Sequence, residues 1–311
     1  MAYDIDNRLV VGLASSALFD LEQSDAVFKE KGERAYRAYQ REHQNRPLQP
    51  GVAYSFVRRL LALNQLNPAN PPVEVVLLSH NDPDTGLRVF KSIEHYGLEI
   101  TRAVFQQGRS PYIFIPAFNI SLFLSANEED VKQAMALGLP AGLVLPSNAE
   151  NDAEDDADDE ELRLAFDFDG VLADDESEAV YQQGDLEQFK RHEVEHADVP
   201  HNPGPLQVFL SKIAQIQKQE QARAEQDSDY KPRLRLAIVT ARSAPAHERV
   251  INTMRSWGLM VNDAFFLGGV EKRRVLDIWA PHIFFDDQRG HLDAAASVSP
   301  SVHIPFGVAN R

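Results

Sequence analysis

The chain has 311 residues, 43% hydrophobic and 25% charged, the composition of a soluble globular protein of about two domains. It has no cysteine, which excludes a disulfide framework, a thiolate metal site and a cysteine nucleophile. Of its net charge of −16, nine acidic residues lie in ENDAEDDADDEE at 150–161, leaving −7 elsewhere, and without a basic stripe a nucleic-acid polymer is not an expected partner.

Two aspartates, Asp4 and Asp6, precede the first apolar run, LVVGLASSALF at 9–19. An export signal would carry basic residues there, and no run of 18 apolar residues follows, so a cytoplasmic protein without a membrane span is expected. VVLLSHN at 75–81, AVFQQG at 103–108 and LFLSAN at 122–127 are runs of strand length, with helical patterns between them. Asn81-Asp82-Pro83-Asp84-Thr85 has the chemistry of an Asx/Pro turn that caps the next helix. The acidic run reads as a solvated connector. It divides the chain into 1–149, the linker 150–161, and 162–311.

The second part opens with LRLAFDFDGVL at 162–172, a strand followed by Asp167 and Asp169. An insertion at about 173–233 holds two helical patterns and turn signals from Pro200 to Pro205. Within it, His192-Glu193-Val194-Glu195-His196 fits the HExxH pattern of zinc peptidases. The charged Glu195, the early stop at Pro200 and the lack of a third ligand favour a plain solvated helix. LRLAIV then leads to Thr240, and Ser243 and Pro245 are placed to start a helix with Val250, Met254 and Trp257 on one face and Gly258 as its stop. Lys272 follows Gly268-Gly269 near the start of another helix, and the strand HIFF ends in Asp286-Asp287.

The two parts echo one another. At an offset of 161 residues VVLLSHN falls on LAIVTAR, AVFQQG on AFFLGG and LFLSAN on IFFDDQ; at an offset of 153, LVVGLASSALF falls on LRLAFDFDGVL. One α/β unit used twice is expected, each a doubly wound, mostly parallel sheet. Ligands of such sheets bind beyond the carboxyl ends of the strands. There the second part places carboxylates, a hydroxyl and an ammonium. The first places Ala14 for Asp167, Ser16 for Asp169, Pro111 for Lys272 and Ser125-Ala126 for Asp286-Asp287; Ser79 alone keeps the Thr240 chemistry.

Carboxylates without histidine or cysteine suit a hard cation, Mg²⁺ being the usual one. An ammonium and a hydroxyl beside them make a phosphate cradle. An aspartate can accept a phosphoryl group, and a second acid two residues on can handle protons.

DFDGV, VTAR, a lysine before a helix, and FFDDQ, in that order over about 125 residues, resemble the haloacid dehalogenase-like phosphatase superfamily. The resemblance implies a Rossmann-like catalytic domain with a helical cap at 173–233. It makes Asp167 the nucleophile, Asp169 the general acid/base, and Thr240 and Lys272 the phosphoryl holders. Mg²⁺ would be bound by Asp167, Asp169 through its backbone carbonyl, Asp286 and Asp287. Phe168, Ala241 and Arg242 flank these motifs as substrate-binding candidates. Tyr181, Phe189 and His192 are cap candidates for meeting a base. LVVGLASSALFDLEQSDAVF, PVEVVLLSHNDPDTGLRVFKSIEHYGL, FDFDGVLADDESEAVY, VTARSAPAHERV and HIFFDDQ together resemble the cytosolic type I 5′-nucleotidases and their bacterial relatives. That implies a homo-oligomeric enzyme hydrolysing nucleoside 5′-monophosphates, AMP-like compounds first, with Asn81–Thr85 as a nucleotide-contact or effector loop. Two alternatives stand beside it: a sibling phosphatase for sugar phosphates or phosphoglycolate, and a nucleotide sensor with a vestigial site.

Overall fold

The computed structural model describes residues 4–147, 159–184 and 186–310. Most of the acidic linker lies outside these; its last residues, Asp159 to Glu161, pair with Arg163, Arg233 and Arg235. The described residues form two compact units, one ending at Val144 and one starting at Leu145.

The first unit has five strands among the described residues: β1 (Leu9–Leu13), β2 (Val73–Ser79), β3 (Arg102–Phe105), β4 (Leu122–Ser125) and β5 (Ala141–Val144). They lie in the order β3-β2-β1-β4-β5, and every pairing is parallel. Its helices are α1 (Ser15–Leu18), α2 (Glu22–Glu42, interrupted at Gly32), α3 (Tyr54–Ala62), α4 (Gly86–His95) and α5 (Glu128–Ala136). The second unit has β6 (Leu162–Phe166), β7 (Leu234–Thr240), β8 (Asp263–Phe266), β9 (Ile283–Asp286) and β10 (Ser301–His303). Their order, β10-β9-β6-β7-β8, is again all parallel. Its helices are α6 (Glu176–Gln183), α7 (Leu186–Glu195), α8 (Gln207–Gln226), α9 (His247–Ser256), α10 (Lys272–Trp279) and α11 (Arg289–Ala295).

The two units have one topology. β2, β3, β4 and α4 have the same bounds as β7, β8, β9 and α9 after a shift of 161 residues, and β1 matches β6 after 153. Register follows: Leu9 faces Val73 as Leu162 faces Leu234. In each unit the chain moves outward from the central strand to one edge, then returns to build the other. With right-handed crossovers this lays helices on both faces, the Rossmann-like α/β arrangement.

The strands form where the residues demand burial on both faces. LVVGL and, apart from Glu74 and the closing Ser79, VEVVLLS are apolar runs without alternation, and every residue of β1 and β2 is buried. The edge strands β3 and β8 are only partly covered. In the second unit Phe166 stacks on Phe285 at 5.0 Å between ring centroids, and Phe209 of α8 leans on both. Burying each such ring contributes about 1.5–3 kcal/mol. Phe209 thus places α8 on the sheet as the crossover from β6 to β7; within 173–233 it is α6 and α7 that stand over the strand ends. α9 starts at His247, later than Ser243 and Pro245 suggest, because Ser243 O takes the Ala246 N–H in a tight turn. Gly97 and Gly258, at the same position of each unit, end α4 and α9 with φ of 63° and 65°.

Candidate active site

Parallel strands end side by side, so the residues just past β6, β7 and β9 share one edge. Asp167 follows β6, its N–H donating to Phe285 O and its Oδ1 accepting from Phe168 N–H at 2.7 Å. Thr240 closes β7 and its Oγ1 accepts from Arg242 N–H at 3.2 Å. Asp286 closes β9, and its Oδ1 accepts from Gln288 N–H at 2.8 Å. Lys272 begins α10 and reaches between them, its Nζ 2.7 Å from both Asp167 Oδ2 and Asp286 Oδ2. All four side chains are buried.

One ammonium serves a crowd of carboxylates. Burial, with Asp286 and Asp169 nearby, pushes Asp167 up to about 6 in spite of Lys272. Burial acts on Asp286 in the same direction, but Lys272 and His291 hold it below the ordinary carboxylate range. Asp287 is pushed up to about 9 by burial and by the charges of Asp167 and Asp286. Among the described residues its buried Oδ1 has no hydrogen-bond partner. Gly170, at φ 71°, lets the Asp167 loop pass this carboxylate: a Cβ there would lie 2.5 Å from Asp287 Oδ2. Asp167, Asp286 and His291 each bring one potential ligand atom within 4.8 Å of the others. A buried acidic cluster with an orphaned oxygen fits a hard divalent cation, whose charge the protein does not itself supply.

Above this edge opens a cleft of about 340 Å³, lined at its base by Asp167, Asp169, Thr240 and Ala241. Ser243, Gly268, Gly269, Gln288 and His291 line its sides, and Glu178, Tyr181, Leu186, Phe189 and Lys190 of α6 and α7 its roof. Tyr181 and Phe189 meet edge to face at 6.1 Å. Phe168 is not part of the cleft: its ring is buried against His201 and beneath Arg242. His192 lies outside the lining too, its imidazole beside Glu176 and Glu193.

Arg242 lines the cleft, yet its charge is already committed. Nε and Nη2 donate to the two oxygens of Asp169 at 2.8 and 2.6 Å, and Nη1 donates to Glu193. The guanidinium lies over the rings of both Phe168 and Phe189. Glu193 is therefore no zinc-peptidase base; it is buried and engaged by two arginines, and among the described residues no metal-capable cluster contains His192 or His196. Sequence reasoning missed Glu193, His291 and Gln288. The last two follow Asp286-Asp287 closely, and the turn from β9 into α11 was the available signal.

In the first unit the matching edge carries Ala14, Ser79 and Ser125, all buried, with Ser79 hydrogen-bonded to Ser15. His80, Ser110 and Asp130 join beside them. No metal-capable cluster appears there among the described residues.

A profile of the 5′-nucleotidase family matches residues 1–311. Human cytosolic 5′-nucleotidase 1B is 33% identical over 296 residues, which is 93% of this chain and 47% of that protein. The chain thus spans about half the length of this curated relative. No solved structure matches it significantly.

Proposed function

This chain belongs to the 5′-nucleotidase family, a family of phosphoric monoester hydrolases, and we propose that its second unit is a Mg²⁺-dependent nucleoside 5′-monophosphate phosphatase acting through an aspartyl-phosphate. The observation that carries this reading is Lys272 bridging Asp286 to Asp167, which lies at the base of a cleft roofed by Tyr181 and Phe189. Mg²⁺ held by Asp167, Asp286 and Asp287, with the backbone carbonyl of Asp169, would offset the carboxylate charge and that of the incoming phosphoryl group.

Thr240 Oγ1 and Lys272 Nζ receive phosphoryl oxygens and hold phosphorus in front of Asp167. A carboxylate oxygen of Asp167 bonds to phosphorus as the P–O5′ bond breaks, and O5′ takes a proton from Asp169. Asp169 then accepts a proton from water as that water's oxygen bonds to phosphorus and the bond to Asp167 breaks, freeing phosphate. Ala241 and Arg242 form the floor beside Thr240. The aromatic and apolar roof favours a stacked base over a sugar phosphate or phosphoglycolate.

Asp167→Asn is expected to abolish phosphate release from AMP in Mg²⁺ with the melting temperature retained; turnover within about tenfold of wild type would overturn the mechanism. A panel of nucleoside monophosphates, sugar phosphates and phosphoglycolate, compared by kcat/KM, tests the substrate class. The first unit, with the fold repeated and the carboxylates gone, fits a non-catalytic copy with a structural, oligomerising or regulatory role. Among the described residues no helix is long and apolar enough to cross a membrane. Together with the relative's name this supports a cytoplasmic enzyme. A homo-oligomer belongs to the same proposal, and light scattering checks it.

A further inference from the structure

A set of buried ion pairs links the roof of the cleft to the residue assigned the proton transfers. Glu193, on α7, has no exposure to speak of, and neither have Arg242, Arg249, His201 or Ser177. Glu193 Oε1 accepts from Ser177 Oγ at 2.7 Å and from Arg249 Nη1 at 3.0 Å. Its Oε2 accepts from Arg242 Nη1, with His201 Nε2 at 3.3 Å. Arg249, from α9, also binds Val199 O and Glu176. Nε and Nη2 of Arg242 donate to the two oxygens of Asp169.

The arrangement is a fork held at both ends. A guanidinium is planar and rigid, so fixing Nη1 on one carboxylate fixes the plane in which Nε and Nη2 meet the other. The rings of Phe168 and Phe189 both pack against it, their centroids 5.0 and 5.3 Å from its central carbon. Burial alone would push the Glu193 carboxyl up, but His201, Arg242 and Ser177 hold it well below the ordinary range. It thus stays charged and paired. Phe189 stands one helical turn before Glu193 on α7, so the ring that roofs the cleft and the carboxylate that holds the fork move as one body.

We propose that Glu193 is a positioning residue that acts through Arg242 to orient the Asp169 carboxyl toward the leaving oxygen, tying proton transfer to the seating of α6 and α7 over the cleft. The inference rests on the reading of Asp169 as general acid/base given above. It adds an element that the HExxH pattern concealed.

The test separates placing a proton from keeping the fold. Breaking the P–O bond of AMP expels an alkoxide that needs the proton of Asp169; p-nitrophenyl phosphate expels a phenolate that does not. Glu193→Gln is expected to slow single-turnover release of adenosine by about tenfold or more, within the range of general acid catalysis, while the first-turnover burst of p-nitrophenolate stays within about threefold of wild type. Equal slowing of both substrates, or of neither, overturns the proposal. Removing a buried charge can unfold the chain, so Glu193→Asp is measured alongside; it keeps the charge, withdraws it by one methylene, and should give the same split. Asp169→Asn is the control. If it shows no split, the acid/base reading itself fails; if it does and both Glu193 variants do not, only the role of Glu193 fails.

Discussion

Lys272 holds Asp167 and Asp286 together where all three side chains are nearly fully buried. Each is therefore costly without the others. Lys272→Ala is expected to destabilise the second unit by about 3–5 kcal/mol in EDTA, because it strands two buried carboxylates. Urea unfolding measures it, and a loss below about 1 kcal/mol would show that the cluster is far better solvated than its burial indicates. Gly170→Ala meets Asp287 at 2.5 Å in a left-handed conformation, for an expected cost of about 1–3 kcal/mol together with a fall in activity. At this scale Asp167, Thr240, Lys272 and Asp286 were legible, because each directly follows an apolar run or opens a helix. Glu193 was not. Its partners Arg242 and Arg249 are 49 and 56 residues away, and its local pattern read as a plain solvated helix.

Among the elements, α6 and α7 roof the cleft, and the proposed function assigns them the specificity. Tyr181, Leu186 and Phe189 make an apolar roof, and Glu178 and Lys190 bring polar ends to it. Phe189→Ala or Tyr181→Ala is expected to raise KM for nucleoside monophosphates by about tenfold, the cost of a lost stacking contact, with inhibition by inorganic phosphate unchanged. Initial-rate kinetics with AMP decide it; an unchanged KM would remove both rings from substrate binding. The helical character of this stretch was readable, but α8 was not separable from it. Its apolar face fits a cap or a sheet layer equally well until Phe209 is seen against Phe166 and Phe285. The late start of α9 was hidden likewise, since Ser243 is a good capping residue and only the turn to Ala246 withholds it.

Among the described residues one topology occurs twice, and the buried cluster of Asp167, Asp286 and Asp287 belongs to the second unit alone. Mg²⁺ is expected to raise the melting temperature of the wild type and to do so much less for Asp286→Asn; calorimetry with and without EDTA reads it. The first unit has its own pH signature. Hydrogen bonding to Asp130, with its charge, raises His80 above the ordinary imidazole value of 6.5 against the pull of burial. The protonated form is thus favoured by folding. The stabilisation is complete below about pH 6.5 and is lost as pH rises through the raised value. With a third of the imidazole exposed, it should stay under about 1 kcal/mol. His80→Gln should lower the melting temperature more at pH 6 than at pH 9; an equal effect at both would mean that the pair does not titrate.

By itself the sequence determined β1 to β4 and β6 to β9, their order along the chain, the repeat, and the polar residues that end β6, β7 and β9, whereas the short β5 and β10 were not read from it. These are local properties: an unbroken apolar run must be buried on both faces, and a polar residue after it marks the strand's end. The tertiary structure alone decided which charges meet. Among the described residues Asp287 has an oxygen with no hydrogen-bond partner, Arg242 is divided between Asp169 and Glu193, and Phe168 packs beneath the guanidinium instead of facing the cleft. Ion pairing and desolvation depend on neighbours distant in the chain, and no local pattern encodes them.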